Sequence, residues 1–370
     1  MTLLDQFQLF LKSAGWPDWA VYLTPALVAI LLIIGAVLTI VIIFIWWERR
    51  LISRFQIRLG PNRCGPEGLF QPVATAIKIL LKEDIVPEKA DKLIHFIAPI
   101  TVFVPILLIF GVIPVDKGAI LADLNVGIIY VIAISSISVI GIFMAAWASG
   151  NKYSFISGVR SIAQMVSYEI PVVLSIVGIA LVTGSFSMLK IVEAQTIPFI
   201  LLQPLGFLIF FLGSLAEMNR SPFDLLEADS EIVAGYHIEY SGMKFAMFYL
   251  GEYGVALAYS GVITTLFLSG WQGPFLWGII WFLIKVMLVF SVIVWIRSTL
   301  PRFRVDQLMS FAWKAMLPMA VINLVLIAIE VLVIPASLQW VMMILNFGFA
   351  AVLILLWSKL FTLGGGRVEV

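Results

Sequence analysis

Long apolar stretches, each cut off by a short polar one, repeat along almost the whole chain. They lie near residues 21–47, 94–115, 124–151, 161–189, 194–216, 245–270, 274–296, 315–334 and 338–358. Each is long enough to cross roughly 30 Å of hydrocarbon as a helix, which satisfies its own backbone where no water can. The pattern predicts an all-α, polytopic transmembrane bundle of about nine spans. Residues 1–370 would form a single integral membrane domain, with polar cytoplasmic loops at about 48–93, 151–160, 217–244 and 297–314. One loop segment has its own period. Between Pro66 and Asp84, the residues Leu69, Phe70, Val73, Ala76, Ile77, Leu80 and Leu81 share one arc of a helical wheel, and Gln71, Thr75, Lys78 and Lys82 face the other way. This predicts an amphipathic helix in the first loop, lying in the membrane interface, docked on the spans, or both.

Composition then excludes whole classes. With 62% hydrophobic and 12% charged residues, and a mean hydropathy of +1.07, the chain cannot cover a soluble surface. A net charge of +1 gives no basic field for nucleic acid. One cysteine, Cys64, and two histidines are too few soft ligands for a zinc site or an iron–sulfur cluster. The first apolar stretch begins only at Val21, has no basic segment before it, and reads as a retained span rather than a signal peptide.

Orientation follows from the basic residues. Of the 23 Lys and Arg, 19 fall in the loops after spans one, three, five and seven and in the C-terminal tail. Lys12, Lys117 and Lys190 lie on the opposite side, and Lys285 sits inside a span. The positive-inside rule places the long loops in the cytoplasm and the N-terminus on the periplasmic side.

Ionisable groups within spans are costly to bury and therefore informative. Glu169, Glu252, Lys285 and Glu330 lie inside spans, while Glu48 and Glu217 close the cytoplasmic ends of spans one and five. The loop after span five is the densest feature. Glu217, Asp224, Glu227, Asp229, Glu231 and Glu239 crowd six carboxylates into 23 residues around one internal cation, Arg220. Interleaved Pro222, Phe223, Leu225, Leu226, Ile232 and Val233 suggest a loop folded back towards a cavity, and acids so close together can share and pass protons. A solvated acidic face is the plainer alternative. The first loop carries Arg49, Arg50, Arg54, Arg58 and Arg63 before GPNRCGPEG, but no GxxxxGK phosphate loop. His95 and His237 have no metal-spaced partner.

These residues carry a resemblance. WERRLISRFQIRLGPNRCGPEGLFQP, IKILLKEDIVP, RSIAQMVSYEIP, AEMNRSPFDLLEADSEIVAGYHIEYSG, LGEY and WIRSTLPRFRVDQLM resemble, in order, the H-subunit family of proton-translocating NADH:quinone oxidoreductase, respiratory complex I. The match covers Glu48 to about Lys314, 267 of 370 residues. It implies a non-redox membrane subunit in the bacterial plasma membrane, at the junction with the peripheral redox arm. Quinone would be the substrate, flavin and iron–sulfur clusters would belong to partner subunits, and this chain would bind no cofactor alone and show no activity alone. The partners would be other membrane-arm and peripheral-arm subunits and membrane lipids, with no nucleic acid. Residue by residue, the resemblance implies proton coupling through Glu169, Glu217, Asp224, Glu227, Glu231, Glu239 and Glu252. It also implies a quinone tunnel lined or braced by Glu48, Arg49, Arg58, Arg220, Arg297, Arg302, Arg304 and Asp306.

Some positions depart from the family pattern: Thr75 and Asp229 stand where Asp and Glu are common, Leu226 where proline or alanine is frequent, and Glu330 has no family role. A related membrane subunit of an ion-translocating hydrogenase, or a stand-alone cation transporter, is the alternative class. Flavin-containing, quinone-reducing partners on purification favour the first reading, and nickel–iron partners or a solitary protein the second. The orientation has a direct test. A cysteine introduced beside Pro66 should label only from the cytoplasmic side and one beside Asp116 only from the other, and the reverse pattern overturns the assignment.

Overall fold

A computed structural model describes residues 3–226, 235–335 and 338–364, with side chains described from Phe7 to Trp357 within those stretches. Every regular element among the described residues is helical. A short helix, α1 (Leu3–Ser13), precedes α2 (Asp18–Phe55), and a 3-10 turn at Pro66–Gly68 leads into α3 (Gln71–Leu80). Then follow α4 (Lys92–Phe110), α5 (Gly127–Ala148), α6 (Lys152–Thr183), the short α7 (Met188–Ala194) and α8 (Phe199–Leu202), and α9 (Pro204–Glu217). The remainder is α10 (Gly242–Phe267), α11 (Gly278–Thr299), α12 (Val305–Phe311), a π-helical turn at Ala312–Met316, α13 (Leu317–Val333) and α14 (Gln339–Gly364). Among the described residues, seven helical runs are long and apolar enough to cross a membrane.

The other two expected spans differ from that picture for physical reasons. α10 is long enough, but Gly, Ser, Thr, Tyr and Glu252 dilute its hydropathy. From Ala256 to Phe267 every residue is buried, so its surroundings are protein rather than lipid. The fifth span is broken. Pro204 removes a backbone donor and pushes Gln203 out of helical geometry (φ −132°, ψ 67°), leaving α8 and a 14-residue α9.

Two loop boundaries also shift. The first loop begins after Phe55 rather than at 48, because α2 continues as a helix through Glu48, Arg49, Arg50 and Arg54. The expected loop at 151–160 is instead the start of α6, capped by Asn151, whose Oδ1 accepts from Tyr153 N at 3.0 Å. Its polar residues serve the protein interior. Ser154, Ser157, Ser161, Gln164 and Tyr168 recur every three or four residues along one face of α6, and all are fully buried. Where α4 crosses α5, Gly141 lets the backbones approach, since a Cβ there would lie 3.0 Å from Val102 N.

α3 does not bury its apolar arc against the bundle. Phe70, Ile77, Leu80 and Leu81 are exposed, the last at 82%.

The end of α10 explains the charge of Lys285. From α11, its Nζ donates to Leu268 O (2.7 Å), Gly270 O (2.9 Å) and Gln272 O (2.8 Å). Gln195 covers the preceding carbonyls, donating to Thr265 O at 2.8 Å and Leu266 O at 3.1 Å, and accepts from Ser269 N at 2.8 Å. A helix end in apolar surroundings needs such partners, and a cation suits its negative pole. Lys285→Met should therefore destabilise the folded protein by about 2–4 kcal/mol, read as a lower thermal midpoint of the detergent-solubilised protein. An unchanged midpoint would remove the capping role.

Candidate functional site

α9 stops in a Schellman turn that sets the site. Asn219 takes the left-handed conformation (φ 51°) in which asparagine is tolerated. Asn219 N then bonds Ala216 O at 3.2 Å, and Arg220 N reaches back to Leu215 O at 3.3 Å. The chain continues through a cis Ser221–Pro222 bond, and Pro222 O accepts from Phe303 N at 3.0 Å.

This turn delivers Arg220, 2% exposed, to two other helices, α2 and α10. Its Nη1 meets Glu48 Oε1 of α2 at 3.1 Å, and its Nη2 meets Glu252 Oε1 of α10 at 3.1 Å. The guanidinium lies 4.5 Å from the centre of the Tyr253 ring. Arg297 of α11 pairs with the same Glu48 oxygen. Two carboxylates and two guanidinium groups thus balance in a cluster whose centre, Glu48 and Arg220, is buried and whose flanks, Glu252 and Arg297, are partly exposed. Only mutual pairing makes charge tolerable at that centre.

A second set of acids adjoins it. Glu169 on α6 accepts from Ser136 of α5. Glu217, the last residue of α9, lines three narrow neighbouring cavities of about 20, 10 and 40 Å³. The first also touches Glu169, Ser135, Ser136 and Ser138, and the third touches Glu252, Asn219 and Tyr236. Glu217 therefore stands between Glu169 and Glu252.

The other expected site residues are dispersed. Asp224, buried, pairs at 2.9 Å with the partly exposed Arg302. Glu239 accepts from Asn151 Nδ2 at 2.8 Å, tying the end of the acidic loop to the cap of α6. Arg304 holds Asp306 by two bonds of 3.0 and 3.4 Å on the exposed surface. Arg49 is half-buried, and Arg58 is exposed just past the end of α2, so neither they nor the Arg304–Asp306 pair joins the buried cluster. Glu227, Asp229 and Glu231 lie outside the described residues. Near the loop's end, His95 stacks on Tyr240 at 3.9 Å, and burial pushes the Tyr240 hydroxyl well above the ordinary tyrosine range.

Residues 28–328 match the NADH dehydrogenase family. The chain belongs to that family. It is 56% identical to the H subunit of an NADH-quinone oxidoreductase from Dehalococcoides mccartyi (strain CBDB1) over 344 residues, covering 93% of this chain and 98% of the relative. It is 48% identical to the corresponding H subunit from Brevibacillus brevis over 321 residues (85% of this chain, 95% of the relative). Over 292 residues it is 49% identical to the one from Rickettsia typhi (76% and 86%).

All the clustered residues of this NADH dehydrogenase family member fall within the matched range. The residues expected of a quinone tunnel (Glu48, Arg297) and of a proton path (Glu252) meet through Arg220 in one ion cluster. Two participants, Tyr253 and Ser136, do not stand out in the sequence. Adjacent serines in an apolar span are the available signal for the second; for Tyr253 it is its place beside Glu252.

Burial separates the two arginine pairs energetically. Arg220→Met should cost about 3–5 kcal/mol, because it leaves buried carboxylates short of a cation. Arg302→Met, which breaks a pair whose arginine is 31% exposed although its aspartate is buried, should cost less, about 1–2 kcal/mol. Denaturation midpoints of the two variants in one detergent would check the order, and equal losses would contradict it.

Proposed function

We propose that the chain is the membrane H subunit of a proton-translocating NADH:quinone oxidoreductase. In this reading it walls part of the quinone site and converts quinone reduction into proton movement. The observation that carries the reading is the adjacency of the Glu48–Arg220–Glu252–Arg297 cluster to the cavities lined by Glu217. The names of its relatives supply the redox context.

Quinone reduction takes two electrons and two protons, and negative charge gathers on the oxygens before the protons arrive. Arginines at the edge of the membrane are the groups that such a charge attracts. Any displacement of Arg220 weakens its hold on Glu48 and Glu252 together, since one guanidinium serves both. The carboxylates left behind then draw protons, and Glu217 and Glu169 offer the next sites along a polar, cavity-lined row. Serine hydroxyls and carboxylates around those narrow cavities provide the polar partners that a single water bridging neighbouring acids requires. Asp224, Glu239 and the loop acids Glu227 and Glu231 would feed this row from the cytoplasmic side. Arg302, Arg49, Arg58 and the Arg304–Asp306 pair would brace the tunnel's rim.

The reading brings its own setting. The chain sits in a bacterial plasma membrane, N-terminus on the periplasmic side, against other membrane-arm and peripheral-arm subunits. Those partners hold the flavin and the iron–sulfur clusters, and quinone is the shared substrate. The uncovered apolar arc of α3 lies on lipid or on a partner.

The test is neutralisation at constant shape. Assembled complexes carrying Glu217→Gln, or Glu231→Gln in the loop, should lose quinone reduction and proton pumping together, by about tenfold or more. Wild-type turnover with wild-type protons pumped per quinone would reduce these acids to scaffold.

A further inference from the structure

The segment that carries Glu217 and Arg220 is pinned by one side chain from another helix. Gln164, fully buried on α6, donates through its Nε2 to Ala216 O and to Phe223 O, both at 2.7 Å, with Asn219 Oδ1 at 3.4 Å. The two backbone carbonyls lie on either side of Arg220, one in the last turn of α9 and one beyond the Ser221–Pro222 bond. Carbonyl oxygens only accept, so the amide has a single workable orientation, with its NH2 turned to the loop. In that orientation Gln164 Oε1 is buried without a hydrogen bond among the described residues. Burying an acceptor in this way is costly, so the two bonds on the donor side must offset it. A residue serving only to fill space would carry no such penalty.

The position bears on charge. Arg220 must reach Glu48 and Glu252 at 3.1 Å each while lying over Tyr253. Its backbone is set by the Schellman turn on one side and by the Phe223 carbonyl on the other, and Gln164 holds both to α6. Ser157 adds a tie further on, donating to Leu226 O at 3.0 Å, but that contact lies outside the stretch between the two carbonyls.

We propose that Gln164 is a positioning residue for proton coupling. It fixes the span between Ala216 and Phe223 so that Arg220 stays shared between Glu48 and Glu252. This rests on the function proposed above, in which that sharing matters for turnover. Without the amide, the turn keeps its internal bonds but loses its register against α6, and the guanidinium settles on one carboxylate.

Two variants in the assembled complex test this, with turnover normalised to the amount of complex. Gln164→Met keeps length and bulk but removes both donors, and Gln164→Asn keeps the amide one methylene short of spanning both carbonyls. Gln164→Met should lower kcat for quinone reduction about tenfold, leave the KM for quinone within about twofold, and reduce protons translocated per quinone. Gln164→Asn should fall between it and the wild type. A purely structural residue would reduce the yield of complex and leave turnover and the proton ratio unchanged, which would overturn the proposal. If Gln164→Met does not assemble, Gln164→Asn is decisive alone, and failure of both to assemble assigns the amide to folding and overturns it as well. Arg220→Met run in parallel separates the two levels. Wild-type coupling in Arg220→Met sinks the functional reading itself, whereas impaired Arg220→Met beside normal Gln164→Met sinks only the positioning role.

Discussion

Everything around the candidate site is arranged to keep one guanidinium in a place where charge is expensive. Arg220 is sealed from solvent, and its two carboxylate partners arrive on different helices. Such a pairing stabilises little by itself, because desolvation consumes most of the attraction, but its failure would leave bare charge in a medium that cannot accommodate it. The surrounding architecture follows from that asymmetry. α9 must be short enough to end at the right depth, α2 must run past the apolar region to present Glu48, and α10 must be the interior helix.

The same asymmetry makes the cluster responsive. In a network with one cation between two anions, the position of the cation decides which anion is stabilised, and a small movement redistributes a large energy. Arg297 also holds Glu48, through the same oxygen, so Glu48 keeps a partner when Arg220 moves, and Glu252 is the carboxylate on which such a move tells more. In the proposed function this would give the row of acids a direction, beginning at Glu252 and passing by Glu217 towards Glu169.

The spans are legible in the sequence because hydrocarbon imposes a length and a composition that few other environments demand. The pattern is blind where protein rather than lipid surrounds a helix. The polar stripe from Ser154 to Tyr168 looks in part like a loop, although its three- and four-residue spacing is that of one helix face. Hydropathy ends the first span at Trp47 because Glu48 and the arginines after it resemble a boundary, whereas Glu48 is matched inside the fold. The break at Gln203 is written in Pro204, but the apolar run on both sides conceals it. For the site, each charged residue stands out alone against an apolar background. Their association does not, since Glu48 and Arg297 lie 249 positions apart and no local period connects them.

The cap that Lys285 places on α10 bears on how the chain enters its membrane. A lysine within a lone apolar segment opposes partition into the bilayer by about 2.5–3.5 kcal/mol near the centre and less towards the ends. Here the ammonium is solvated by three carbonyls of the turn immediately before it. The two helices thus form a hairpin whose polar liabilities cancel only when both halves are present. Emerging from the ribosome one after the other, α10 and α11 have reason to wait for each other at the translocon and to leave it as a unit.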